Sequence, residues 1–274
     1  MSKEGVSEEE IQKLVAEIQG SPKYRGIDLP TETLLDIIAL ESIHHKKIKD
    51  IKQAVKKKIH NIVAPYLGDP DYEQAEIELQ TAFQQGEAAI KEFCKRMLNV
   101  HASTRERLPI MEKFYEQLFS ATGQPNSILD LACGLNPFVL PWMGIPVSTQ
   151  YFAYDLHHPR VNLINAFFRS VNREENAFYQ DILVQPPEIE ADVAFFFKEA
   201  HRFDQRQRGC NRAFWLSLPV KKIAVSLPTT SLTGKHDKME QHQRLVYDAI
   251  QDLNWSVQEI VLSSEILFIL QKAV

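Results

Sequence analysis

The sequence predicts an α/β protein in which an all-helical N-terminal half precedes a mixed, Rossmann-like sheet of seven strands. Three observations carry this. Up to about Val100 the apolar residues recur at helical spacing, and no strand-like run interrupts them. From Ser127 onward, short apolar runs alternate with helical or irregular stretches, as parallel strands joined by crossovers require. The last two runs, Ser256–Leu262 and Ile266–Gln271, are separated only by Ser263, Ser264 and Glu265. That link is too short for a crossover, so the two runs form an antiparallel hairpin.

Taken in order, Ser7 and Glu10 read as a capping box opening a helix with Ile11, Leu14, Val15 and Ile18 inward. "GSPKYRGIDLP" breaks it, and Leu34, Leu35, Ile37 and Ile38 build a second helix. A third runs from about Ile43 and ends at "APYLGDP"; two more carry Ala75–Phe83 and Ala88–Leu98. "HASTRERLPIMEKFYEQLF" reads as one amphipathic helix capped by Ser103 or Thr104, with Leu108, Met111, Tyr115 and Leu118 inward. The strands are expected at Ser127–Ala132, Tyr151–Leu156, Ala177–Leu183, Ala191–Phe197, Lys222–Leu227 and the two of the hairpin. The expected division is a helical domain over 1–100 and an α/β domain over 101–274.

The bulk composition excludes several classes. The 274 residues carry a net charge of −5, which argues against a uniformly basic nucleic-acid binder and leaves local patches open. Cys94, Cys133 and Cys210 lack metal-ligand spacing and imply no disulfide framework. The opening "MSKEGVSEEE" is polar and acidic, unlike a signal peptide, and no apolar run has the length of a membrane span. A cytoplasmic location is expected. His157-His158 lack a third ligand, so no metal is expected, and Cys133 reads as a packing residue rather than a nucleophile.

The most informative stretch is "ILDLACGLNP", Ile128 to Pro137: a strand, an acid and a turn with a single glycine, Gly134. A dinucleotide fingerprint uses three glycines around a pyrophosphate. Asp155 follows Gly134 by 21 residues, where an acid grips ribose hydroxyls, and Asp181 is placed to meet an adenine amino group. With Asp130, these acids fall at the ends of successive strands, so all three are expected to line one crevice. Arg105 and Arg107 are expected in the first turn of their helix, where cations oppose the dipole. That placement suggests an arginine fork for an anion.

Seven strands closed by one antiparallel hairpin resemble the class I S-adenosylmethionine-dependent methyltransferases, whose cofactor has no pyrophosphate and needs only one close-approach glycine. "HASTRERL" with "ILDLACGLNP", "QDIL", "SLPTTSL" and the outlying "SPKYR" and "SEILFILQK" are similar to the aminoglycoside-resistance 16S rRNA (guanine(1405)-N7)-methyltransferases, over nearly the whole chain. The resemblance implies a helical N-terminal domain docking on the 30S subunit and methylation of one guanine in the decoding region of 16S rRNA. It implies S-adenosyl-L-methionine as cofactor, with S-adenosyl-L-homocysteine as product. It further implies that His101, Ser103 and Arg107 hold the methionine end beside Gly134, Asp155 the ribose, and Asp181 with Ile182 the adenine. Lys198 and Gln207 match family positions near the pocket.

The chain departs from the family pattern at two places. Thr229-Thr230-Ser231 stands where Thr-Arg-Ser is usual, at the position expected to meet the target nucleotide. Glu199-Ala200-His201 replaces Leu-Leu-Pro after Lys198. A different RNA site, a small-molecule acceptor and a non-catalytic ribosome-binding homologue remain as alternatives on this ground. Two basic regions can meet RNA. In Ser42–Ile62, seven lysines face one acid, Asp50, with Lys46, Lys49, Lys56, Lys57 and His60 opposite the Ile48, Ile51, Val55, Ile59 stripe. The second region runs from Lys198 through Arg202 to Lys222. Thr230 and Ser231 complete the expected RNA-facing set, the protein being expected to act as a monomer. No His/Asp or Cys/His pair suggests a general base, and methylation at guanine N7 needs none.

Overall fold

A computed structural model describes residues 6–21, 29–63, 69–229 and 238–273. The N-terminal part holds α1 (Glu8–Gln19), α2 (Thr31–His44), α3 (Ile48–Val63), α4 (Tyr72–Gln85) and α5 (Glu87–Val100). Ser7 and Glu10 make both bonds of the capping box, the Ser7 N–H donating to the Glu10 carboxylate at 3.0 Å. The helix expected from about Ile43 begins instead at Ile48. Ile43 ends up 76% exposed within α2, off both buried stripes, which is why its apolarity misplaces the boundary.

The single helix expected from "HASTRERLPIMEKFYEQLF" is two. Helix α6 (Ala102–Arg107) gives way to a 3-10 turn at Leu108–Ile110 and then to α7 (Met111–Thr122). Pro109 supplies no backbone N–H and breaks the ladder there. Arg105 and Arg107 therefore sit in the last turn of α6, where cations complement the dipole. The electrostatic oddity read from the sequence is absent. Neither Ser103 nor Thr104 is the cap; His101 holds that position, and Thr104 Oγ1 donates instead to the Leu98 carbonyl at 2.7 Å.

The sheet comprises β1 (Ser127–Leu131), β2 (Gln150–Asp155), β3 (Ala177–Tyr179), β4 (Ala191–Phe197), β5 (Val220–Pro228), β6 (Ser256–Leu262) and β7 (Glu265–Gln271), in the order β3-β2-β1-β4-β5-β7-β6. The first five strands pair in parallel and the last two close the edge as an antiparallel hairpin, as the spacing predicts. The connections carry α8 (Leu140–Met143), α9 (His158–Ser170), α10 (Ala200–Arg206), α11 (Cys210–Ser217) and α12 (Met239–Ile250). Strand β3 is shorter than expected: Asp181 accepts the Leu183 N–H at 3.1 Å and folds the chain into a turn. The hairpin link is shorter too, because Glu265 joins β7 opposite Pro228.

Strand alternation sends Phe195 and Phe197 to one face of the sheet, with Phe114, and Phe196 to the other, with Phe203, Phe214 and Trp215. Helices α4 and α5 belong to the first of these layers through Leu79, Phe93 and Met97. Helices α1 to α3 have their own core of Leu14, Ile18, Leu34, Ile37, Ile51, Val55 and Ile59. The apolar cores thus divide between α3 and α4, ahead of the boundary expected at residue 100. Polar contacts tie α2 and α3 to the sheet. Thr33 donates to Asp181 at 2.8 Å, Arg206 pairs with Asp36 at 2.8 Å and Asp181 at 2.7 Å, and Lys58 donates to the Arg206 carbonyl at 2.7 Å.

Candidate active site

Strand β1 has β2 on one side and β4 on the other. The crevice beyond their carboxyl ends is where an open α/β sheet receives a ligand. It encloses about 1060 Å³ including its mouth. Two non-glycine residues beside it adopt the left-handed region: Ala132, at φ +51, follows β1 and lines the crevice, and Lys198, at φ +60, follows β4. Such strain collects where a fold must aim groups at a site. Gly134, at φ +55, continues the β1 turn; a Cβ there would meet only His101 at 3.9 Å, so the backbone conformation rather than space favours glycine.

Of the expected cofactor residues, His101, Ser103, Arg107, Gly134 and Asp155 line this crevice. Asp155 accepts the Gly134 N–H at 2.9 Å, the His157 N–H at 2.9 Å and both contacts of Arg160 at 3.2 and 3.0 Å. Arg160 continues to Asp69 at 2.6 Å and to the Tyr72 hydroxyl at 3.1 Å, linking the crevice to the start of α4. His101 shares a 2.7 Å hydrogen bond with Ser103 Oγ. Burial, then the nearby Arg160 charge, lowers its pKa to about 4, so the imidazole is neutral.

Arg107 is not the free anion fork expected from the sequence. It is buried between the Phe114 and Phe197 rings, 4.2 and 4.5 Å from their centroids. Glu265 binds it at 3.2 and 2.5 Å, and it also donates to Asn136 and Ser226. A guanidinium this deep needs an opposite charge, and β7 supplies it. Lys198 departs from expectation for the same reason. It is buried, with its ammonium on Glu106 at 2.8 Å and on the Ser103 carbonyl at 3.1 Å, so it is no exposed phosphate contact.

Asp181, Ile182 and Gln207 are not among the crevice's lining residues. Asp181 is taken by Thr33, Arg206 and its own turn, and Ile182 is buried in the apolar layer with Phe203. Helix α10 ends at Arg206, which turns Gln207 out to solvent while Gln205 and Arg206 line the wall. Arg202 lines the crevice and pairs with Glu199 at 3.6 Å. Thr230 and Ser231 lie outside the described residues. His242 is buried, with Nδ1 2.8 Å from the Pro228 carbonyl.

Reasoning from the sequence misses Arg160, Asn136, Glu265, Lys58 and Arg206. One left a signal: Arg160 follows a prolyl start where the helix dipole disfavours a cation. The others act through long-range contacts that no spacing shows.

Asp130 lies on the floor and accepts from Tyr151 at 2.5 Å and Asn136 at 3.0 Å. Burial pushes its carboxyl up to about 7 against those donors and Arg107. A carboxyl with a raised folded pKa holds its proton more tightly when folded. Its contribution is therefore complete below the unfolded value and is lost as pH rises to about 7. Urea midpoints measured at pH 5 and pH 8 should show a fall for the parent chain that shrinks in Asp130→Asn. An unchanged fall would contradict this assignment.

The sheet order and the crevice define a class I S-adenosylmethionine-dependent methyltransferase. The ribosomal RNA methyltransferase (FmrO) family model matches residues 20–269, and the chain belongs to that family. It is 27% identical to the 16S rRNA (guanine(1405)-N(7))-methyltransferase of Micromonospora echinospora, over 97% of this chain and 98% of that protein. It is 29% identical to the enzyme of the same description from Serratia marcescens, over 96% and 98%. The crystal structure of the 16S rRNA methyltransferase RmtF in complex with S-adenosyl-L-homocysteine superposes with a TM-score of 0.78 at 26% identity, covering 98% of this chain and 100% of that one. Among the described residues no helix is long and apolar enough to cross a membrane.

Proposed function

We infer that this protein transfers the methyl group of S-adenosylmethionine to N7 of a guanine in the decoding region of 16S rRNA within the 30S subunit. It acts as a cytoplasmic monomer, with aminoglycoside resistance as the consequence. The observation that carries this reading is the double role of α3. Its Lys58, Asn61 and Ile62 wall the crevice, while Lys49, Lys57 and His60 stand exposed on its outer side. One helix thereby joins a cofactor crevice to a cationic face suited to phosphate. Lys46 precedes that helix and is exposed as well; Lys56 contributes less, being paired with Glu17 at 3.1 Å. The docking unit in this reading is α1 to α3, which have a core of their own.

The crevice's donor and acceptor set fits the cofactor: an acid at the end of β2, a glycine turn after β1 and a neutral His-Ser pair. Asp155 would take the ribose hydroxyls, and Gly134 with His101 and Ser103 the amino-acid end, while Arg107, held by Glu265, braces the wall behind them. When bound, S-adenosylmethionine supplies an electrophilic methyl carbon. The N7 lone pair would be the acceptor of that carbon, and sulfur would keep the bonding pair. No proton moves, so the chain's task is to hold the acceptor nitrogen in line and exclude water, worth roughly 7–11 kcal/mol in favourable cases.

Methyl-labelled cofactor offered with isolated 30S subunits, with naked 16S rRNA and with small-molecule acceptors tests the substrate. Label should enter the subunits and little else. Labelling only of a small molecule would overturn the reading. The double variant Lys49→Glu/Lys57→Glu should flatten the salt dependence of subunit binding, with a log–log slope smaller by about two. An unchanged slope would remove α3 from the interface.

A further inference from the structure

We propose that Glu199 is a specificity-determining residue that reads the base, accepting hydrogen bonds from the N1–H and 2-amino groups of the target guanine. The inference rests on the function proposed above and adds a recognition element to it. The two other acids of the crevice have their roles: Asp130 is taken by Tyr151 and Asn136, and Asp155, anchored by Gly134, His157 and Arg160, serves the ribose in the function proposed above. The Glu199 carboxylate lines the same crevice and makes no hydrogen bond among the described residues. Its one ionic neighbour there, Arg202, stands off at 3.6 Å. It occupies the N-cap position of α10, yet its side chain makes no capping hydrogen bond. Burial pushes its carboxyl up to about 7 against the pull of Arg202, so a ligand that donates would fill its open acceptor sites and favour the ionised form.

Position indicates which ligand. The cofactor elements, Gly134 and Asp155, lie after β1 and β2, whereas Glu199 follows β4 on the opposite side of β1. The left-handed turn at Lys198 separates it from the strand, and Phe197 and Phe203 line the crevice beside it. That side is left for the methyl acceptor. Among the bases, guanine offers two adjacent donors on its pairing edge, matching the two oxygens of a carboxylate. The chemistry strengthens the fit: once N7 has given its lone pair to the methyl carbon, the base carries a positive charge with no proton to lose in compensation. A carboxylate facing that base favours the charge as it develops.

The test uses 30S subunits reconstituted with 16S rRNA that carries guanine or inosine, which lacks the 2-amino group, at the methylated position. Parent chain, Glu199→Gln and Glu199→Leu are compared for kcat/KM and for binding of S-adenosylhomocysteine. Inosine should cost the parent about ten- to a hundredfold in kcat/KM. Glu199→Leu should lose at least as much on guanine and then no longer distinguish the two bases. Glu199→Gln, with one acceptor oxygen, should fall between. S-adenosylhomocysteine should bind all three chains within about twofold, which also reports intact folding. If Glu199→Leu still discriminates against inosine as the parent does, the proposal is overturned. A selective loss of S-adenosylhomocysteine binding would assign Glu199 to the cofactor instead and overturn it equally. No methylation of guanine subunits by the parent chain would overturn the function itself.

Discussion

Asp155→Ala is expected to abolish measurable methyl transfer and to weaken S-adenosylhomocysteine binding by at least about a hundredfold. The carboxylate accepts from two backbone N–H groups and from Arg160, so it is both a ligand group and the anchor of the β1 turn. Its removal leaves Gly134 N–H and His157 N–H without that acceptor and deprives the buried Arg160 of one of its two anionic partners among the described residues. Hydrogen bonds involving charged groups contribute about 1.5–3 kcal/mol each, so losing two or more exceeds a hundredfold in binding. Asp155→Asn should be milder, since one oxygen still accepts. Calorimetric titration with S-adenosylhomocysteine, with a melting curve as folding control, checks this. Binding within threefold of the parent would contradict the assignment.

Glu265→Ala should produce the largest loss of stability, about 3–5 kcal/mol, because it strands the buried Arg107 charge. Burial alone would raise the Glu265 carboxyl; Arg107 and then Lys198 outweigh it and hold it below the ordinary range. A depressed folded pKa means the contribution is present above the unfolded value. It is lost as pH falls through the folded one, so the pair weakens only in acid. Urea unfolding of Glu265→Ala, of Arg107→Met and of the double variant checks the pairing. The double variant should be less unstable than the sum of the two singles, since it leaves neither buried charge alone. Strict additivity would show that the two charges do not stabilise one another.

The parts of the fold that were legible are those set by local periodicity. Alternating apolar runs place the seven strands, and the short link before Ile266 fixes the antiparallel edge. Two boundaries were misread because one residue outweighs a pattern. Pro109 splits a helix that its amphipathic spacing would continue, and Asp181 stops β3 by binding its own turn. The site was half legible: Gly134 and Asp155 are displayed by the strand–turn grammar itself. Arg160 joining Asp69 to Asp155, and Glu265 reaching Arg107, are pairings between distant segments. Burial creates the need for such partners, and burial is a property of the folded chain. For the same reason Arg107 and Lys198 look like ligand-binding cations in the sequence and prove to be internally neutralised.

The central claim is that one guanine of the assembled small subunit is methylated at N7. The most direct test treats 16S rRNA from subunits incubated with the protein and S-adenosylmethionine by reduction and aniline cleavage, which cut the strand at N7-methylguanine. The account predicts a single new cleavage in the decoding region, absent when the cofactor is omitted and absent with Asp155→Ala. Methyl incorporation without that cleavage, or a cut elsewhere in the rRNA, would contradict it.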